Sequence, residues 1–203
     1  MRLGFLYPNA SISLSFSNPL ELLVATILSA QCTDAMVNHV TPALFAKYKT
    51  CEDYATANAH EFESLIVKTG FYRNKAKWIL GAARELLDSY GGVVPRTMVE
   101  IISLPGVARK TGNVVLYNAY GIADGIAVDT HVGRLSRRLG LSAERNPIII
   151  ERDLMRIVPR EEWGKFSHRM ISHGRNVCSA LKPKCDACRI NDLCPTYTNA
   201  VIS

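Results

Sequence analysis

Four cysteines fall within seventeen residues near the C-terminus: Cys178, Cys185, Cys188 and Cys194, with six, two and five residues between successive members. Such a segment is expected to be a loop folded around something that sulfur binds. The opposite end of the chain, Met1 to Phe16, carries one arginine and a short apolar patch that Pro8 and Asn9 interrupt before signal-peptide length. It therefore reads as mature sequence from inside a cell, where thiols stay reduced and a disulfide knot is disfavoured. Structural zinc usually takes two close cysteine pairs, whereas here one close pair has a single cysteine on either side. Four thiolates from one short loop suit a cubane [4Fe–4S] cluster, with one sulfur ligand for each iron. Zinc remains the alternative metal. Cys32 and Cys51 lie far from this group and read as ordinary buried thiols.

The rest of the chain carries helical signals. Asn18-Pro19-Leu20-Glu21 combines a capping Asn, Pro at the first helical position and an acid three residues after the cap. The helix it starts, to about Ala30, has a wide apolar face (Leu20, Leu22, Leu23, Ile27, Leu28) and should be mostly buried. Further helices are predicted at Asp34–Tyr48, Ala59–Lys68, Tyr72–Tyr90, Thr97–Ser103, Ala108–Tyr120, Thr130–Leu139, Pro147–Ile157 and Glu161–Arg175. No stretch shows strand alternation, so the fold class is all-α. With 48% hydrophobic and 21% charged residues and no apolar run of membrane-spanning length, a membrane protein is not expected. No fixed-period repeat argues for a solenoid.

The net charge of +6 is a weak pointer to a polyanionic partner. Its distribution says more: residues 160–189 hold seven Lys or Arg against three acids. Lys182 and Lys184, between the first two cysteines, would sit on a tethered loop suited to backbone phosphates. The alternative is that they only offset charge on the cluster or keep the loop soluble.

The segment Leu104-Pro105-Gly106-Val107-Ala108-Arg109-Lys110-Thr111-Gly112-Asn113 lies between a short helix and a longer one. It resembles a helix-hairpin-helix motif, in which a tight glycine turn presents N–H groups beside a helix N-terminus, where a phosphate is favoured. Such a hairpin would grip DNA through Gly106 and Ala108 without reading sequence. The pattern commonly has a second glycine where this chain has Ala108, so the backbone there must keep a negative φ. Lys110 stands just inside the second helix and by position alone could be a phosphate contact. That helix rises about 18 to 20 Å, and residues 121–128 can span about 26 Å when extended, so Asp129 can return towards it. Asp129 also suits a helix N-cap, and one carboxylate can serve both roles. A lysine matched with a carboxylate suggests covalent chemistry at a sugar carbon, with the neutral amine as nucleophile.

Taken together, the Leu28-Ser29-Ala30-Gln31 stretch, Thr69-Gly70-Phe71-Tyr72-Arg73-Asn74-Lys75-Ala76, the hairpin with Lys110, Val128-Asp129-Thr130-His131 and the cysteine spacings resemble the endonuclease III family of DNA glycosylases, over nearly the whole chain from Ser17. The resemblance implies a bifunctional glycosylase and AP lyase of base excision repair. Its substrate would be double-stranded DNA carrying oxidised pyrimidines or abasic sites, with the nucleotide flipped out before attack. It also implies that Lys110 attacks C1′, that Gln31 fills the vacated stack, and that Phe71, where relatives commonly have Leu, acts as an intercalating wedge. The implied architecture is a six-helix domain, residues 12–123, and an iron–sulfur cluster domain, residues 1–11 and 124–203, with the active site in the cleft between them. A monomer in a prokaryotic cytoplasm, associated with the nucleoid, completes the expectation.

Two alternatives remain. Mispair glycosylases of the same superfamily share hairpin and cluster but lack a nucleophilic lysine at the Lys110 position. The adenine-specific branch also needs a glutamate near Ala25 and a further C-terminal domain. A non-enzymatic iron–sulfur DNA-binding or electron-transfer protein would leave the pairing of Lys110 with Asp129 unexplained.

Overall fold

The computed structural model describes residues 2–202, with side chains as far as Thr198. Among these residues every regular element is helical and no strand occurs. In chain order the helices are α1 (Arg2–Leu6), α2 (Pro19–Leu28), α3 (Asp34–Lys47), α4 (Cys51–Ala55), α5 (Ala59–Ile66), α6 (Tyr72–Tyr90), α7 (Met98–Ile101), α8 (Arg109–Tyr120), α9 (Thr130–Arg138), α10 (Pro147–Ile157), α11 (Trp163–Asn176) and α12 (Pro195–Ile202). Short 3₁₀ turns follow α5 and precede α11 and α12. The chain divides into two compact units: Ser13–Asp124, and Met1–Ile12 with Gly125–Ser203.

The 13–124 unit is assembled round α2. Asn18 accepts the Glu21 N–H at 2.9 Å and Pro19 opens the helix, as the sequence predicts. Residues 22–28 are then buried without a gap. A helix apolar on all sides needs cover on all sides, and α3, α6 and α8 each pack on α2. Thr26, the polar residue in that buried run, donates its hydroxyl to the Leu22 carbonyl at 2.7 Å, so its burial strands no donor. Beside α2, the rings of Tyr48, Tyr54 and Phe62 pack with centroids 5.3 to 6.0 Å apart. They fill the space under α4 and α5, both of which lie against α6.

The second unit has its own core of Leu3, Val132, Leu135, Ile150, Leu154, Phe166, Met170 and Ile190. Its centre is the packing of α9 on α11. The N-terminal α1 also packs on α11, with the half-covered Gly4 against the Arg169 guanidinium. Arg169 pairs with Glu162, and Arg2 is bonded to Asp192 at 2.6 Å, tying the N-terminus to the cysteine-rich segment.

Three helices were not anticipated, and all are short or terminal. For α4 a local signal was present: Thr50 and Asp53 form a reciprocal capping box. The predicted helix over 59–68 ends at Ile66 because the chain tightens into a 3₁₀ turn over Val67–Thr69. The predicted start at Ala108 moves to Arg109, since Ala108 is extended. Among the described residues no helix is long and apolar enough to cross a membrane.

Replacing Phe62, which is fully buried in the aromatic group, by Ala should destabilise the fold by about 3–5 kcal/mol. Urea unfolding should report this as a lower midpoint with an unchanged slope.

Candidate active site and nucleic-acid interface

The hairpin is built by a type II turn. Pro105 and Gly106 occupy its two central positions, Gly106 has φ +76°, and the Val107 N–H donates to the Leu104 carbonyl at 3.1 Å. Leu104 and Val107 are buried on either side of the turn, while Pro105 and Gly106 face solvent. Glycine is required here for a second reason: a Cβ would lie 2.5 Å from the Cβ of Trp78 and 2.7 Å from its Cγ. On the far side α7 and α8 approach so closely that a Cβ on Gly112 would come within 2.7 Å of the Met98 sulfur.

Ala108 then has φ −91° and ψ 169°, which meets the condition that its methyl group imposes. It supplies no side-chain cap to α8, whereas α2, α3, α4, α5, α7, α9 and α10 each have one. The first turn of α8 therefore has no side chain of the cap residue over its N–H groups, and the positive end of its dipole favours an anion there. Lys110 is the second residue of that turn and is exposed. Its neighbour Arg109 leans to Asp124 at 3.5 Å.

Asp129 is carried by the other unit. It caps α9, its Oδ1 accepting the Val132 N–H at 2.8 Å. Buried Val128 and Val132 fix the backbone around it. The cap occupies one carboxylate oxygen and leaves the second for other work.

Gln31 and Phe71 are both exposed and both left-handed, with φ 52° and 49°. Gln31 stands in the turn between α2 and α3. Phe71 precedes α6, which also lacks a side-chain cap. Cys51 is buried as expected, but Cys32 is half-buried rather than buried because it sits in the turn between α2 and α3, flanked by the exposed Gln31 and Thr33.

Cys178, Cys185, Cys188 and Cys194 all line one cavity of about 120 Å³. The loop is folded by its own main chain: Lys184 N–H donates to Val177 at 3.0 Å, and Cys188 N–H to Cys185 at 3.1 Å. Burial pushes the Cys188 thiol pKa up. A hydrogen bond from Ile190 works against this, and the nearness of Cys178, Cys194 and Cys185 adds to it. Four thiolates sharing this space need a cation among them. All four sulfur-bearing residues line this one cavity, a donor set of soft ligands that suits a metal–sulfur group. Lys182 and Lys184 are exposed on this loop.

Three residues around this cavity, Arg134, Arg138 and His173, were not singled out in the sequence. Arg138 donates to the Cys178 sulfur at 3.2 Å and to the carbonyls of Ser179 and Ala180 at 2.7 and 2.8 Å. Arg134 donates to the Cys178 carbonyl at 2.9 Å. His173 lies 3.6 Å from the Cys188 sulfur through Nε2 and 3.0 Å from the Tyr7 hydroxyl through Nδ1. The spacing of Arg134 and Arg138, one helical turn apart on the same face of α9, was the available signal.

Residues 24–160 match the family model described as HhH-GPD superfamily base excision DNA repair protein. The chain is 55% identical to the endonuclease III of Synechocystis sp. over 94% of this chain and 87% of that protein. Among solved structures it superposes with TM-score 0.93 and 45% identity on a trapped endonuclease III–DNA covalent intermediate, covering 98% of this chain and 94% of the other. A thermostable thymine-DNA glycosylase is similar at TM-score 0.86 and 26% identity, over 97% and 93%.

Gly106→Ala should destabilise the protein by about 1–3 kcal/mol, since it combines a positive φ with contact against Trp78. It should also weaken duplex binding in a fluorescence titration at fixed salt. Wild-type stability and affinity in this variant would show that the turn does not need its glycine.

Proposed function

The chain belongs to the endonuclease III family within the HhH-GPD superfamily, and from that premise we propose how its residues divide the work. The protein is a bifunctional DNA glycosylase and AP lyase of base excision repair. Its substrates are duplexes holding oxidised pyrimidines or abasic sites. The observation that carries this assignment is an exposed lysine, Lys110, in the uncapped first turn of the second hairpin helix.

The damaged nucleotide leaves the stack before reaction. Gln31 fills the gap, its amide able to donate to and accept from the orphan base, and Phe71 wedges the neighbouring step by stacking. The hairpin at Gly106 and Ala108 grips a backbone phosphate at the α8 N-terminus, and Lys182 and Lys184 hold others.

The Nζ of Lys110, as the neutral amine, forms a bond to C1′ while the bond from C1′ to the base breaks. The electron pair leaves with the base, which takes up a proton. Opening of the sugar ring then gives a Schiff base between Nζ and C1′. Loss of a C2′ proton expels the 3′ phosphate with the electron pair of its C3′–O bond. Water finally hydrolyses the imine and restores the amine. Asp129 stabilises the positive charge that develops as the glycosidic bond loosens, and carries protons in the later steps.

Cys178, Cys185, Cys188 and Cys194 hold a [4Fe–4S] cluster in this reading. When bound, it supplies cross-linking of the loop and folding free energy. The reaction requires one lysine and one carboxylate from a single chain, so a monomer suffices. Bacterial relatives support a prokaryotic cytoplasm as its setting, with the nucleoid as the source of substrate. The thymine-mispair reading, supported by similarity of fold, leaves Lys110 without a task.

Borohydride should trap wild-type protein on abasic duplex DNA as a covalent adduct, and Lys110→Ala should give none. An adduct with that variant would remove Lys110 as the nucleophile. Asp129→Asn keeps a good helix cap, so it should fold normally while base excision slows by about a hundredfold or more. For the cofactor, the purified protein should absorb visible light and carry about four irons per chain. A colourless protein with stoichiometric zinc would overturn the cluster.

A further inference from the structure

Lys75 is buried, with 1% of its surface exposed, although it lies in the first turn of α6. Its ammonium donates to the carbonyl of Leu28 at 2.8 Å and to that of Thr69 at 2.7 Å. Leu28 is the last residue of α2, and Thr69 the last of the 3₁₀ turn before Gly70 and Phe71. One cation thus satisfies carbonyls at two helix ends, where carbonyl groups lack intrahelical partners and the helix dipole is negative. An ammonium has three donors and no acceptor, which suits this task. Burial in return pushes the Lys75 amine pKa down.

The two carbonyls belong to the two loops that present Gln31 and Phe71. Gln31 is three residues beyond Leu28, and Phe71 two beyond Thr69. Lys75 is itself locked to Phe71, since its N–H donates to the Phe71 carbonyl at 3.1 Å. The turn leading to Gln31 is closed by hydrogen bonds from Ala30 to Ile27 and from Cys32 to Ser29, at 3.3 and 3.1 Å. Gln31 and Phe71 are also the two non-glycine residues with positive φ among those described. A backbone held in that region needs surroundings that over-determine it, and a single nitrogen reaches both loops.

We infer that Lys75 is a positioning residue that clamps the Gln31 and Phe71 loops together, so that both tips enter a duplex with a fixed separation. The inference rests on reading Gln31 as the residue that fills the stack and Phe71 as the wedge. Those tasks belong to one event, the opening of one base step, and loops free to move apart would complete one without the other. The ammonium touches no substrate; it acts through the loops.

The test compares two reactions of the full-length protein. One is single-turnover excision of an oxidised pyrimidine from a duplex, which needs wedge and plug. The other is borohydride trapping on a single-stranded abasic oligonucleotide, which has no stack to open. Lys75→Met, similar in length but without donors, should lower duplex excision by about tenfold or more while trapping stays within about twofold. With 2-aminopurine opposite the lesion, the fluorescence rise on wild-type binding should shrink in the variant. Equal losses in both reactions would mean that Lys75 only holds the fold, and no loss in either would remove it from the reaction; each overturns the clamp. If Lys75→Met does not unfold cooperatively, Lys75→Arg takes its place. Its planar fork converges poorly on two carbonyls, so the same split is expected with a smaller loss, and absence of a split again overturns the inference. Gln31→Ala and Phe71→Ala separate the two levels. If neither shows the split, the reading of the tips fails and the clamp with it; if both do and the Lys75 variants do not, only the clamp falls.

Discussion

Helix α2 is apolar on every side, and the need to bury it governs the 13–124 unit. Seven consecutive residues from Leu22 to Leu28 are inaccessible, each large one contributing about 1.5–3 kcal/mol through removal from water. Two of the helices that supply this cover, α6 and α8, also carry expected DNA contacts. Helix α8 brings the hairpin and Lys110, α6 brings Phe71 at its start, and the exit of α2 itself leads to Gln31. Three functional elements thus refer to one buried rod. Close-packed interiors transmit displacement rather than absorb it, so a cavity beneath α2 is felt at all three tips.

In the other unit, which has its own apolar core, the cysteine loop is governed by charge. Four thiols around one cavity repel one another once ionised, and the fold answers with cations outside the cavity as well as space within it. Arg138 reaches a sulfur and two carbonyls of the loop, while Arg134 reaches a third carbonyl. Both come from α9, whose first residue follows Asp129. The helix that Asp129 caps at one end therefore anchors the cysteine loop at the other. Nine residues, about 13 Å of helix, separate the two duties.

Much of this was legible where chemistry is local. Asn18-Pro19 and Asn146-Pro147 mark the starts of α2 and α10, and the side chains cap as their types require. The cysteine spacing indicates a metal-binding loop, and the structure gathers all four around one cavity. What escaped depends on distant contacts. Lys75 lies in a charged stretch, Arg73-Asn74-Lys75-Ala76-Lys77, and nothing local separates it from the exposed Lys77. Its burial is decided by carbonyls six and forty-seven residues away. Trp78 likewise reads as one more apolar residue of α6, until the turn at Gly106 is laid against it. Helices of five residues, such as α1 and α4, are too short for periodicity to register.

Local rules are broken in this unit where DNA is expected to meet the protein. Helices α6 and α8 begin without side-chain caps, although Ser, Thr, Asn or Asp would stabilise either by about 1 kcal/mol. Gln31 and Phe71 hold left-handed backbone that glycine would adopt more readily. Phe71, a large apolar residue, remains 62% exposed. A sequence selected for stability alone would have removed such features, since each carries a cost that the rest of the fold must offset. An open helix start is useful if a phosphate is to complete it, and a strained exposed side chain if it is to enter a stack. The buried ammonium of Lys75 lies between the α2 exit and the α6 start, where these departures are closest in sequence to its two carbonyl partners. That position makes it a structural counterpart to the exposed lysine of the hairpin: in the proposed reading one supports the opening of DNA, the other the chemistry that follows.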